Sequence, residues 1–117
     1  MVFRAAWKLY EQALAASPDD ADLHMNYGYL LGSGDPDGAL ADWRHSHELA
    51  PEQLSSVYSS AFLLEREGRI EDAMVAWRFI IDRSEGLGFT LDTLWPKQEL
   101  DRLRRKAGAS ASQAPVE

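Results

Sequence analysis

Asp37-Gly38-Ala39-Leu40-Ala41-Asp42-Trp43 and Glu71-Asp72-Ala73-Met74-Val75-Ala76-Trp77 share one pattern: an alanine, three residues, then an aromatic ring. A third copy, Ala6-Trp7-Lys8-Leu9-Tyr10, precedes them. The copies are 33 and 34 residues apart. A fixed period of this size marks supersecondary units stacked side by side. Ala50-Pro51-Glu52 repeats the break Ser17-Pro18-Asp19 at the same 33-residue step. Stacked helical units build a surface rather than a catalytic cleft, so the period points to binding.

Helical spacing fills in the chain around these fixed points. Phe3, Ala6, Trp7, Tyr10, Ala13 and Leu14 fall on one stripe, which predicts a helix over 2–16. Pro18 stops it, because its ring nitrogen cannot continue the hydrogen-bond ladder. Asp19 or Asp20 caps a second helix that reaches Leu31. A third runs from Pro36 to Leu49, with Asp35 as N-cap and proline at its favoured first position. Further helices are predicted over 52–66, 70–83 and 96–107. Gly68 sits at the left-handed closing position of the fourth helix, and Gly86-Leu87-Gly88 breaks the fifth. No segment alternates with period two, so the fold class is all-α. The helical domain is assigned to 1–107 and a disordered tail to 108–117, which is rich in Ala, Ser, Gln and Pro.

These fixed points together resemble the tetratricopeptide repeat (TPR), a helix–turn–helix unit of 34 residues. Residues 21–51 match it at Tyr27-Gly28, Leu31, Gly34, Ala39, Trp43 and Pro51, with His24 where a large residue is usual. Residues 54–85 match at Ala61, Leu64, Gly68, Ala73 and Trp77, and depart at Ser60, Ile80 and Glu85. Residues 2–18 match only the second helix of a unit, through Ala6, Tyr10, Ala13 and Pro18. The resemblance implies an α-α superhelix of about two and a half stacked antiparallel pairs, closed by a C-terminal capping helix. Ala6, Tyr10, Gly28, Ala39, Trp43, Ala61, Ala73 and Trp77 are then the packing residues between units. A mid-helix glycine costs about 1 kcal/mol against alanine, so close approach of another group is the reason expected for Gly28.

The resemblance also implies a concave groove lined by the first helix of each pair. Met25, Asn26, Tyr29, Tyr58, Phe62 and Arg66 are its candidate peptide contacts, with Asp22, Ser55, Ser59 and Glu65 beside them. Clustered aromatics and a Met mark a contact patch, and Asn26 can both donate to and accept from a bound backbone. The expected partner is a protein or peptide segment with apolar anchors. The alternative is a self-associating subunit or part of a longer repeat scaffold. Val2, Phe3, Trp7, Leu9 and Leu14 give the first helix more apolar surface than one neighbour covers, which suggests a homodimer through that helix. At the other end, Leu94, Leu100 and Leu103 form the inward stripe expected of a cap.

Composition excludes other classes. The chain has no cysteine, hence no disulfide framework and no thiolate site. Residues 1–90 carry 7 basic and 15 acidic side chains, a balance that repels phosphate backbones and argues against nucleic acid. Arg102, Arg104, Arg105 and Lys106 form the one basic cluster, read as a solvated helix end. No membrane-spanning run is visible, and a cytoplasmic setting is expected. His45 and His47 project about 200° apart on a helix and cannot share a metal; they are read as exposed polar residues. Asp35-Pro36-Asp37-Gly38 starts a helix rather than a calcium loop, because Ser46 stands where the closing glutamate belongs. No phosphate loop, dinucleotide fingerprint or nucleophile elbow occurs. The expectation is a non-enzymatic module with no cofactor and no metal.

Overall fold

The computed structural model describes residues 2–86 and 93–112 of the 117. Six helices are present and no strand is found among the described residues. They are α1 (Val2–Ala16), α2 (Ala21–Leu31), α3 (Pro36–Leu49), α4 (Ser55–Arg66), α5 (Ile70–Gly86) and α6 (Leu94–Ser112). A single 3₁₀ turn, Gly32–Gly34, joins α2 to α3. The chain divides into two compact units, Met1–Leu63 and Leu64–Glu117.

Helix ends in the first unit follow local chemistry. The Asp20 carboxylate accepts the Leu23 amide at 3.1 Å, and Asp35 accepts that of Gly38 at the same distance. Each satisfies one of the free donors of a first turn. The fourth helix begins at Ser55 rather than at 52. The Gln53 amide bonds the Ala50 carbonyl at 3.0 Å, which closes a turn over the intervening residues.

The core of the first unit is the α2–α3 pair. Ala39 is fully buried and Trp43 nearly so, together with Leu63, and Met25, Leu31 and Leu40 pack around them. The Trp43 indole lies directly over the α2 backbone. A Cβ placed on Gly28 would come within 2.5 Å of Trp43 Nε1. The same N–H donates to the Met25 carbonyl at 3.0 Å, and the Ser46 hydroxyl donates to the Ala21 carbonyl at 2.8 Å. His24 completes the contact from between the Pro18 carbonyl (2.6 Å) and the Asp42 carboxylate (3.0 Å). Its ring also meets His45 edge-on, with centroids 4.3 Å apart. His45 is thus part of the pair's polar edge, and His47 bonds the Gln53 carbonyl through Nδ1 at 3.2 Å. Both are half-buried rather than simply exposed.

In the second unit α4 ends in a glycine cap. Gly68 has φ +77°, its amide bonds the Glu65 carbonyl, and the Arg69 amide bonds the Leu64 carbonyl. That is the paired bonding of a Schellman cap. Ala73, Trp77 and Ile80 are fully buried on α5. Two expectations change here. The fifth helix continues to Gly86, and the last spans Leu94–Ser112, passing through Gly108. Strong helix formers at Ala107 and Ala109 carry it past the lone glycine. The remainder of the predicted break, 87–88, and residues 113–117 of the predicted tail lie outside the described residues. Leu94 is 61% exposed, whereas Pro96, Leu100 and Leu103 are buried. Pro96, Leu100 and Leu103 keep i, i+4, i+7 spacing, and Leu94, about 160° round the helix from Pro96, points away.

The Gly28–Trp43 contact makes a sharp test. Alanine in place of glycine normally stabilises a helix by about 1 kcal/mol. Here Gly28→Ala pushes a methyl group into a rigid, hydrogen-bonded indole, and a net loss of about 1–3 kcal/mol is expected. Urea unfolding of the variant measures it; a gain in stability would contradict the packing described.

Candidate functional site

Five of the six groove candidates lie in the first unit, on two helices. Met25, Asn26 and Tyr29 are on α2, and Tyr58 and Phe62 are on α4. Tyr29 and Phe62 are 53% and 47% exposed, and Asn26 is also exposed. Met25 and Tyr58 are half-buried. The pairs Met25/Tyr58, Asn26/Ser59 and Tyr29/Phe62 each differ by 33 positions, the step of the repeat. Equivalent positions of successive units therefore supply the same face.

Hydroxyl contacts hold that face together. The Tyr29 and Ser59 hydroxyls are 2.5 Å apart, and Ser55 Oγ donates to the Met25 sulfur at 3.3 Å. Ser59 also returns a bond to the Ser55 carbonyl one turn back, at 3.1 Å. The Tyr29 ring meets Trp43 edge-on at 5.4 Å between centroids, tying the exposed ring to the core indole. The result is a face on which the Tyr29 ring is fixed by Ser59 and Trp43, with the exposed Asn26 amide beside it.

The copy of the alanine–aromatic motif on α1 is less complete. Ala6 and Tyr10 are only half-buried, against near-total burial of Ala39, Trp43, Ala73 and Trp77. Tyr10 and Tyr27 rings lie 6.2 Å apart. Trp7 is 47% and Leu9 65% exposed, but at spacing i, i+2 they face opposite sides of the helix. The first helix therefore carries no single broad apolar face from these two residues. Beside it lies a feature that periodicity did not suggest. A cavity of about 500 Å³ is lined by Trp7, Tyr29, Leu30, Leu31, Gly32, Gly34 and Asp35. Its walls come from two helices and a turn, so no local spacing rule announces it.

Electrostatics separate the two units. Burial pushes the Tyr27 phenol above its ordinary value, and the carboxylates of Glu11, Asp42 and Asp35 push it further, against a stabilising hydrogen bond from Trp7. In the second unit, acids and bases pair. Arg102 donates from Nη1 to Glu65 at 2.8 Å, from Nη2 to its other oxygen at 2.5 Å, and from Nε to Glu99 at 3.0 Å. Lys106 joins Glu65 at 3.3 Å. The Arg102 hydrogen bonds, aided by Lys106, hold the Glu65 carboxyl at about 2. Glu65 thus serves this clamp instead of the groove. Arg66, the sixth candidate, is an exposed residue of the same unit. The basic cluster is likewise corrected: it sits mid-helix, Arg102 and Lys106 grip Glu65, and Arg104 pairs with Asp101. Val75 and Phe79, exposed at i, i+4 on the side of α5 away from Ala73 and Trp77, add an apolar patch not foreseen.

With this geometry in hand, solved structures supply the comparison. MamA MSR-1 aligns at a TM-score of 0.59 with 15% identity, covering 91% of this chain and 70% of that one. MamA AMB-1 aligns at 0.58 with 17% identity, covering 93% and 68%. A mutant of MamA aligns at 0.58 with 16% identity, covering 86% and 67%. MamA is a TPR-like helical-repeat protein. The fold is TPR-like. No protein-family model matches the sequence, and no curated protein matches it. At these identities the likeness speaks for the fold alone. Among the described residues, no cluster of His, Asp and Glu is placed to hold a metal, and no helix is long and apolar enough to cross a membrane.

The Glu65 clamp gives a pH dependence with a definite sign. The carboxyl titrates at about 2 in the folded chain against 4.5 for the free group. Its stabilisation is complete above pH 4.5 and is lost as pH falls toward 2. Arg102 is 43% exposed, so solvent screening reduces the value of the clamp. Glu65→Gln is expected to cost about 1 kcal/mol at neutral pH and to flatten the fall in stability below pH 4.5. Urea unfolding at neutral and acidic pH checks it; parallel losses in both proteins would exclude the clamp as their source.

Proposed function

We propose that this protein is a non-catalytic interaction module that binds a peptide segment of a partner protein. The site is the α2–α4 face bearing Met25, Asn26, Tyr29, Tyr58 and Phe62. The observation that carries the reading is the pair of half-exposed rings, Tyr29 and Phe62, at equivalent positions of successive units. Exposed aromatic surface costs solvation unless a ligand covers it, and rigid rings make contacts at little entropic cost. Tyr29 is held by Ser59 and Trp43, so part of the ordering cost of binding is met before the ligand arrives. Asn26, exposed beside them, has the donor and acceptor needed for a peptide backbone. The ligand is a segment with apolar or aromatic anchors spaced to meet both rings.

A second reading, self-association through α1, is favoured by the exposure of Trp7 and the incomplete burial of Ala6 and Tyr10. Paired helices in a second copy would cover the motif as α2 covers that of α3. Sedimentation equilibrium separates the two: a dimer dissociated by Trp7→Glu is expected for self-association, and a monomer at several hundred micromolar refutes it.

The peptide reading is tested by selection from a displayed library of random peptides. Tyr29→Ala/Phe62→Ala is expected to lower the affinity of selected peptides at least tenfold. Far-ultraviolet circular dichroism should show helicity unchanged. Equal affinity for the double variant would remove this face from consideration.

A further inference from the structure

The cavity between α1, α2 and the 3₁₀ turn differs in chemistry from the face beside it. Two aromatic side chains, Trp7 and Tyr29, and two leucines, Leu30 and Leu31, bound a space of about 500 Å³. That lies within the range of small-ligand sites. The two glycines in its lining add no side chain. Asp35 is the one charged residue in the lining. Its Oδ1 accepts the Gly38 amide at 3.1 Å, but a carboxylate has about four acceptor sites, so capacity remains.

The surroundings give this arrangement a sign. Residues 1–63 carry 3 basic and 9 acidic side chains, while residues 64–117 carry 9 and 10. The first unit therefore holds nearly all of the chain's excess negative charge and raises the local concentration of cations. A purely apolar occupant would desolvate the Asp35 carboxylate with only the Gly38 amide to compensate it, which is costly. An anion would meet repulsion. A flexible alkyl chain ending in a cation suits every wall: its methylenes against the leucines, its charge against the faces of the rings and the carboxylate.

We propose that this cavity binds the side chain of an arginine or lysine in the partner segment, with the cationic head set between Trp7, Tyr29 and Asp35. The proposal rests on the peptide reading, because Tyr29 belongs to both surfaces, and it adds a basic residue beside the apolar anchors of the ligand.

The test uses the intact chain, labelled with ¹⁵N, and two probes of equal shape, N-butylguanidinium and the uncharged N-butylurea. Saturable shifts of the Trp7 indole and of the Gly32 and Gly34 amides are expected with the guanidinium, at an affinity at least about tenfold above that of the urea. Asp35→Asn keeps the helix cap, since asparagine caps as well as aspartate, and is expected to weaken the guanidinium about fivefold. Trp7→Leu keeps the apolar wall without the π face and should weaken it similarly. Equal binding of the two probes, an unchanged affinity in Asp35→Asn, or no shift at all would overturn the assignment. Phe62→Ala, which is not among the lining residues, should leave probe binding intact while abolishing peptide capture. Loss of peptide binding alone would therefore count against nothing in the cavity, and loss of probe binding alone would leave the aromatic face standing.

Discussion

The indole of Trp43 rests on a backbone that has no side chain to hold it off. Gly28 lets the ring come so close that a single methyl group would overlap it. From that contact the rest of the first unit follows. The ring's N–H reaches the Met25 carbonyl. Its other side is left to meet Tyr29, and Ala39 is small enough to vanish into the interface. Replacing a small residue on either helix would separate the backbones and cost all of these at once. The alanine–aromatic period writes this requirement in full on α3 and α5 and only partly on α1: the alanine permits approach and the aromatic fills what the approach encloses.

Polar contacts in the first unit serve alignment more than affinity between helices. Ser46, His24 and Trp43 each bond a group on α2 or the turn before it, and each removes a polar atom from an otherwise apolar contact. Such bonds are worth little net when made and much when broken. The second unit uses a different device. Glu65 is gripped by Arg102 and Lys106 near the surface, where geometry and fork-like donors make up for screening. The consequence is functional as well as structural. Arg102 and Lys106 are engaged by a carboxylate of their own unit, whereas the first unit carries 3 basic and 9 acidic side chains and keeps an excess of negative charge.

Much of this was legible in the residues alone. Caps at Asp20 and Asp35, the proline at the start of α3, the glycine end of α4 and the buried face of α5 all rest on interactions within four or five residues, so spacing reveals them. So did the packing role of Gly28, because a costly residue in mid-helix needs a reason. The faces of α2 and α4 were legible too, once the period aligned them. The basic cluster and Glu65 were misread because each depends on a partner 37 or more positions away, and no local rule carries that information. Leu94 was misread on the phase of α6, whose buried stripe runs through Pro96, Leu100 and Leu103.

The sequence by itself determined that this chain is a stack of helices with a 33- to 34-residue period, because helix signals and small–large alternation are local and repetitive. It also marked Ala39, Trp43, Ala61, Ala73 and Trp77 as buried packing residues. Only the tertiary structure decided that Trp7, Tyr29 and Asp35 close round one cavity, and that Glu65 is withdrawn into a clamp. Those outcomes arise when side chains from separate helices compete for the same space and the same charge. That competition is settled by packing in three dimensions and has no period to read.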